Sequence, residues 1–437
     1  MAITLILLAG FIFRVVSINQ SLWLDEATTA LVSKMTIVDM FTKFLPADFH
    51  PPLYYLILKF WTFVFGYSEI SLRMPSVFFG LGIVFLVYKI TKLLFGGNSA
   101  KIAAFLSATS GLLIYYSQEA RMYSMAAFLI TLSIYLFLQK KWIYFSIVLV
   151  LIGMTDYVSL LILPIFWIVG RKNIRELIIS HIPLVIGFGL WIPTFLTQLG
   201  AGFSVADSAW GKILGPTTVK NVGLIPVKFV LGRISFDDKA LYLIIALLSV
   251  SLFCYLLWMA RKSNKIIWLW LVLPLVFGIL LSFKIPTLSY FRFLFCLPAL
   301  YILSANALEN NKFHKKVLIL AIFGINLFSS GYYLINNRFQ REDWREAVSF
   351  IESTKTPQSA TLFVTGSNWE AYRYYAPDAK IAIPSQIDGS FDQIWLMRYV
   401  WEIFDPTDST RHKIERLGYK KLEEYNFNGI SVYQYKK

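Results

Sequence analysis

The sequence predicts an all-α polytopic membrane bundle of about 11 transmembrane helices, or about 12–13, with outer-face juxtamembrane helices and a small C-terminal α/β extracytoplasmic domain. Three observations predict it. Apolar residues make up 57% of the 437 and charged residues only 15%, where a soluble globular chain carries roughly 25% charged. The apolar residues gather in runs of about 17–25, the length that crosses a hydrocarbon core. Barrel-type alternation is absent, and a helix satisfies its own backbone hydrogen bonds, so helices are the expected spans.

Candidate spans lie at 2–18, 73–94, 100–117, 121–139, 142–155, 156–170, 177–196, 240–260, 266–284, 290–309 and 315–335. The first, Ala2 to Ile18, lacks a basic leader and contains Arg14, and no small-residue cleavage site follows. It reads as a span and not as a signal peptide. The run 142–170 is long for one span and short for two, and it divides at Thr155-Asp156-Tyr157. The segment 51–66 is short and opens with Pro51-Pro52. It reads as an interfacial or re-entrant helix at the outer leaflet.

Charge sets the orientation. Lys89, Lys92 and Lys101 share one connection, Lys140 and Lys141 the next basic one, then Arg171, Lys172 and Arg175. Arg261, Lys262 and Lys265 follow, then Lys312, Lys315 and Lys316. Every second connection is basic, which places the N-terminus in the cytoplasm, provided 51–66 does not cross. The same loops explain the formal net charge of +15 through orientation and anionic lipids, so nucleic acid is not an expected partner. Cys254 and Cys296 both lie in apolar runs, which leaves no disulfide framework or Cys-rich metal site.

Under this topology residues 1–337 form the transmembrane domain and 338–437 a small extracytoplasmic one, in a cell membrane. Two large outer loops belong to the first domain: 19–72, and 197–239 with Trp210 and Pro216. The tail turns charged and reads as α/β. It has helices at 342–353 and 408–417 and strands at 360–366, 380–384 and near 429–435.

The outer ends of the spans collect the unusual polar groups. Asp25 and Glu26 follow the first span, His50 precedes the two prolines, and Glu69 and Arg73 open the next span. Gln118, Glu119, Arg121 and Tyr123 share one outer turn, Asp156 marks another, and Arg292 opens the tenth span. Each has an ordinary reading: an acid pair at a helix start, an arginine reaching for headgroups, an aspartate capping a turn. Their convergence on one face is the functional signal, because ionisable groups at membrane depth are costly.

The chemistry that fits is sugar transfer from a lipid phosphate. An acceptor hydroxyl needs a base as it attacks the anomeric carbon, and a carboxylate serves. Asp25, with Glu26 beside it, is the expected catalytic pair. Charge builds on the departing phosphate, and cations stabilise it. Arg121, Arg292 and Arg73 are the expected phosphate ligands. His50, Tyr54, Gln118, Glu119, Tyr123 and Asp156 are expected around the acceptor and pocket. No Walker A loop or strand–Gly-rich–helix fingerprint is present.

Four blocks then carry a resemblance: Ser21-Leu22-Trp23-Leu24-Asp25-Glu26-Ala27, His50-Pro51-Pro52-Leu53-Tyr54-Tyr55, Arg73-Met74-Pro75-Ser76 and Ser117-Gln118-Glu119-Ala120-Arg121-Met122-Tyr123. In order and spacing they resemble the protein-mannosyltransferase-like glycosyltransferases of the membrane-embedded GT-C class, the family 39 type that includes aminoarabinose transferases. The resemblance covers about the first two-thirds of the chain, and Arg292 looks like the family's Arg-containing segment. It implies a polyprenyl-phosphate sugar donor, inversion at the anomeric carbon, and Asp25 as the base. Some members bind a divalent metal near the position of His50. By that resemblance His50 would be one ligand, with Asp156 or Glu26 another, and no other cofactor is implied.

The chain also departs from the pattern. Asp156 stands where many relatives carry His. Ala27-Thr28-Thr29 stands where the aminoarabinose type carries an Arg, so aminoarabinose transfer is not expected. The acceptor stays open between a protein hydroxyl, a lipid-linked glycan and a cell-wall polymer. Two rival readings are a polymerase or ligase using a lipid-diphosphate glycan and a non-catalytic lipid-glycan transporter. A transporter of two related halves would show paired, broken helices, and no such repeat is visible.

Overall fold

The apolar runs form helices, and a computed structural model of the chain describes residues 1–206, 217–286, 288–310 and 314–437. Trp210, Pro216 and Lys312 lie outside the described residues. Helix α1 (Ala2–Val15) enters the bundle, and a short loop leads to α2 (Leu24–Lys34), whose first turn carries Asp25 and Glu26. Arg14 does not reach for headgroups. It is fully buried, with Nε donating to Ser117 Oγ (3.1 Å) and Nη1 to the carbonyls of Gly10 (2.9 Å) and Ala108 (3.0 Å).

Helix α3 (Leu53–Phe65) has 13 residues, about 20 Å at 1.5 Å per residue and too short to cross. It is two-faced. Tyr54, Tyr55, Leu58 and Thr62 are buried, and Phe60, Phe63, Val64 and Phe65 are exposed. Gly66, at φ 77°, ends it in a backbone region that few side chains tolerate. Helix α4 (Glu69–Phe95) starts where the Ser68 hydroxyl accepts from Ser71 N–H, and Pro75 sits near its start.

Thr109 and Ser110 divide the expected span 100–117 into α5 (Gly97–Ala108) and α6 (Gly111–Ser117). The turn 118–122 then leads to α7 (Tyr123–Leu138). Helix α8 (Trp142–Gly153) ends just before the expected division of 142–170. A 3-10 turn, Val158–Ile162, leads into α9 (Leu163–Val169). Helix α10 (Ile174–Ala206) runs through Pro183 and Pro193 beyond its expected end, and α11 (Val219–Leu231) adds a helix within the expected second loop. Then come α12 (Lys239–Met259), α13 (Lys265–Ser282), a 3-10 segment Tyr290–Cys296, α14 (Leu297–Asn310) and α15 (Lys315–Ile335).

Among the described residues six helices are long and apolar enough to cross a membrane: Glu69–Phe95, Arg171–Ser204, Lys239–Met259, Lys265–Ser282, Tyr290–Asn310 and Lys315–Ile335. Ala2–Val15, Leu53–Phe65, Tyr123–Leu138, Trp142–Gly153 and Val158–Val169 are shorter apolar helices. The expected count of about 11 is therefore not established by length and composition.

The tail holds α16 (Trp344–Thr354), α17 (Glu370–Tyr375) and α18 (Ser409–Arg416), with β1 (Ser359–Phe363), β2 (Ile381–Ala382), β3 (Gln393–Met397), β4 (Lys420–Phe427) and β5 (Ile430–Lys436). The sheet order is β2-β1-β3-β5-β4. Strand β1 runs parallel to β2 and β3, while β5 runs antiparallel to β3 and β4. Sequence reasoning missed β3 and β4. Strand β3 is buried at every position, so no alternation marks it, and β4 is exposed and mostly charged over its first five residues.

This sheet region docks beside α2. Tyr375 Oη accepts from Leu22 N–H (2.8 Å) and donates to Glu69 Oε1 (3.1 Å). Arg345 Nε lies 3.1 Å from the same Glu69 oxygen, and the Tyr374 hydroxyl donates to the Tyr67 carbonyl.

Candidate active site

Three connections meet at one end of the bundle: the α1–α2 loop with the first turn of α2, the 118–122 turn, and the segment 48–52 before α3. Their meeting is organised by Glu26. It is wholly buried, and both its oxygens are engaged by Arg73, Nε at 2.8 Å and Nη2 at 2.5 Å. Ala120 N–H donates to Glu26 Oε1 at 2.8 Å. Burial opposes the charged carboxylate, yet Arg73, Arg341 and the Ala120 amide outweigh it and hold the group below its ordinary range.

Arg73 also donates through Nη1 to the carbonyls of Ile18 (2.7 Å) and Gln20 (2.6 Å), and through Nη2 to that of Ser21 (3.0 Å). All five of its N–H groups are used inside the protein. The structure therefore places Arg73 and Glu26 apart from their expected roles as phosphate ligand and second catalytic acid. They form a buried strut that anchors the loop before Asp25.

Asp25 differs from its neighbour. Its side chain is 39% exposed, and its close charged partner is Arg121, Nη2 to Oδ2 at 3.8 Å. The Arg121 side chain is 7% exposed and weakly held. Nη1 reaches Thr29 Oγ1 at 3.4 Å, and Nε makes no hydrogen bond among the described residues. A buried guanidinium with unused donors suits an anion. Its backbone is set by Ser76, whose Oγ donates to the Arg121 carbonyl (3.3 Å) and pairs with the Tyr54 hydroxyl (3.1 Å). Tyr54 is thus a buried support for the turn.

Gln118 and Glu119 are likewise turned inward. Gln118 Nε2 donates to the carbonyls of Val16 (2.6 Å) and Arg14 (3.1 Å), and its Oε1 accepts from Tyr333 (2.8 Å). Glu119 Oε2 accepts from Arg341 Nη2 at 2.8 Å. Burial and the neighbouring Glu26 push the Glu119 carboxyl up, so its charged form depends on the guanidinium groups around it. Neither residue, then, takes the expected acceptor position.

His50, Asp156 and Arg292 do converge. They line a cavity of about 330 Å³ whose walls include Phe49, Phe188 and Phe195. Tyr123 packs on Phe291, next to Arg292 in the chain, with ring centroids 5.1 Å apart. Asp25 and Arg121 are not among the cavity-lining residues. Asp156 Oδ2 accepts from both the N–H and the Oγ of Ser159, each at 3.0 Å, so it caps the turn into α9.

The acid nearest His50 is Asp48, with Nδ1 3.6 Å from Oδ1, and Asp48 Oδ2 accepts from the Tyr55 hydroxyl at 2.7 Å. Burial works against its charge, but His50, Arg121 and Tyr55 hold the carboxyl down at about 2. Among the described residues no group of three or more His, Cys, Asp or Glu side chains is placed to hold a metal. Glu26 is held by Arg73, and although His50 and Asp156 line one cavity no third such ligand joins them among the described residues, so the residues do not fit the metal site expected around His50.

Sequence reasoning missed Asp48, Arg233 and Arg341. An acid two residues before His50 was a readable signal. Arg233, whose guanidinium lies 4.5 Å from the Tyr115 ring centroid, and Arg341, at 3.8 Å from the same ring, sit in segments with no motif.

Comparison with known proteins agrees with the resemblance seen in the motifs. Residues 49–199 match the model of the dolichyl-phosphate-mannose-protein mannosyltransferase family. The candidate mannosyltransferase YycA of Bacillus subtilis (strain 168) is 28% identical over 224 residues, a match that takes in 48% of this chain and 32% of that protein. The match therefore spans about a third of the length of this curated relative.

Among solved structures, ArnT from Cupriavidus metallidurans bound to undecaprenyl phosphate superposes with a TM-score of 0.56 at 12% identity, covering 99% of this chain and 97% of that one. The Archaeoglobus fulgidus oligosaccharyltransferase in complex with Zn and sulfate gives 0.57 at 14% identity, covering 99% and 73%. These likenesses show the fold. The family match adds a sequence likeness confined to residues 49–199.

Proposed function

We propose that the chain moves a sugar from a polyprenyl-phosphate donor to an acceptor hydroxyl at the outer face of the membrane, with inversion and with Asp25 as base. The observation that carries this reading is the Asp25–Arg121 pair: a half-open carboxylate 3.8 Å from a guanidinium that keeps unused donors. The apolar cavity with Arg292 and His50 on its wall suits the first isoprene units of a lipid donor. The ArnT structure holding undecaprenyl phosphate supports a donor of this class.

The steps follow from charge. Arg121 lies against Asp25. An incoming phosphate draws Arg121 away, since the donor's oxygens carry more charge and match its fork. Asp25 is then free to face the acceptor. It takes the acceptor's proton as that oxygen attacks the anomeric carbon on the face opposite the phosphate. The bond from that carbon to the phosphate oxygen breaks, and Arg121 and Arg292 stabilise the charge left there.

Membranes containing the protein, offered a panel of radiolabelled polyprenyl-phosphate sugars, test the reading. One label should move to an acceptor. If no label moves above the level of membranes carrying Asp25→Asn, the reading is overturned.

Arg121→Ala should raise the donor KM about 10–100-fold, the loss of one or two charge-assisted hydrogen bonds, and leave the acceptor KM near wild type. Steady-state kinetics with donor and acceptor varied separately decide it. An unchanged donor KM counts against a phosphate role.

Orientation has its own test. In a Cys254→Ser background, Ser385→Cys on the exposed surface of the tail should react with an impermeant thiol reagent in intact cells. Labelling only after lysis would turn the site to the cytoplasmic face.

A further inference from the structure

Two buried carboxylates flank the reacting pair along the chain. Glu26 directly follows Asp25, and Glu119 lies two residues before Arg121. Glu26 has Arg73, but Arg73 has no N–H left for Glu119. The second cation comes from the far end of the sequence. Arg341 Nη2 donates to Glu119 Oε2 (2.8 Å), and its Nε lies 3.9 Å from Glu26 Oε2. Its guanidinium rests on the Tyr115 ring, 3.8 Å from the centroid, and is buried.

Arg341 is itself fixed from both sides. Its backbone N–H donates to Gln20 Oε1 (2.8 Å), in the loop before Asp25. Its carbonyl accepts from Asn428 Nδ2 (3.0 Å), in the turn between β4 and β5. The backbone of Arg341 thus joins the loop before Asp25 to the sheet, and its side chain reaches the turn carrying Arg121.

We infer that Arg341 is a positioning residue for sugar transfer, which holds the Asp25–Arg121 geometry by balancing the buried carboxylates Glu26 and Glu119. The inference rests on the transfer reading above. Its logic is electrostatic. An unpartnered carboxylate at this depth is costly. With Arg341 gone, the guanidinium groups left to Glu119 are Arg233 and Arg121; Arg121 sits on Glu119's own turn, and it answers the demand by leaving Asp25. The reacting pair separates although neither member has changed. The tail is on this view a working part of the site.

The test is a charge-balance cycle in the full-length chain, with Arg341→Gln, Glu119→Gln and the two together. Arg341→Gln should lower kcat about 10²-fold, the scale of a misplacement of about 1 Å at a reacting centre. The double substitution should recover to within about threefold of Glu119→Gln alone. Arg341→Lys should keep more activity than Arg341→Gln. Loss of packing on Tyr115 alone would not be repaired at Glu119, so a double variant no better than Arg341→Gln overturns the inference. Wild-type kcat in Arg341→Gln overturns it too.

Thermal unfolding separates this outcome from failure of the transfer reading. If the wild type moves no label, that reading fails. The charge balance is then read from the unfolding midpoint, which Arg341→Gln should lower and the double substitution should restore. If Arg341→Gln does not accumulate, the double variant decides: it accumulates if the charge is the cause, and its absence overturns the inference.

Discussion

Asp25→Asn should reduce sugar transfer by about 10²–10⁴-fold, the range over which a positioned base acts, while the protein still inserts and folds. The amide keeps the shape of the carboxylate and cannot take the acceptor's proton. The fold should tolerate it because the Asp25 side chain is 39% exposed and its charged contact, to Arg121, is 3.8 Å long. Arg121 is buried, but its contact to Asp25 is long and half-exposed on the acid's side, so the amide should cost far less stability than removing Glu26. Transfer rates per mole of folded protein, taken with a thermal melt of both variants, provide the measurement. Wild-type turnover in Asp25→Asn would remove this residue as the base, whatever the fate of the rest of the site.

Glu26→Ala should do the opposite: its first effect is on the fold. Removing it leaves the Arg73 guanidinium buried with two unanswered donors and frees the Ala120 amide. Breaking a buried pair from one side costs about 3–5 kcal/mol. Accumulation in the membrane should fall, and the unfolding midpoint should drop well below that of Asp25→Asn. A combined Glu26→Met and Arg73→Met variant should regain much of the stability, because apolar side chains of similar volume avoid the stranded charge. Equal midpoints for Glu26→Ala and Asp25→Asn would contradict the division of labour between adjacent acids that the structure draws.

That division marks how far the sequence could be read. Apolar runs pointed to a helical membrane bundle and the charged tail to a small mixed domain, and the four motif blocks come together at one end of the bundle. Within the blocks, sequence could not tell a group that faces substrate from one that holds the loops. Asp25 and Glu26 are both first-turn acids, yet helix geometry turns one to the opening and the other onto Arg73. Asp156 and Gln118 have the residue types of a site and are engaged by Ser159, Tyr333 and backbone carbonyls. Arg341 was illegible because its meaning depends on a contact 222 positions away in the chain. Nothing near it in sequence records that distance.

The bare aromatic flank of α3 has a consequence for where such a protein can work. Phe60, Phe63 and Phe65 point away from the protein, while Tyr55, on the opposite flank of the same helix, holds Asp48 and through it the neighbourhood of His50. In the proposed placement this helix floats among the headgroups. The level at which it floats sets how high the head-binding residues stand above the acyl chains. The surrounding leaflet then acts as a shim under the reaction, and a micelle, lacking that flat support, is a different enzyme environment even when every side chain is in place.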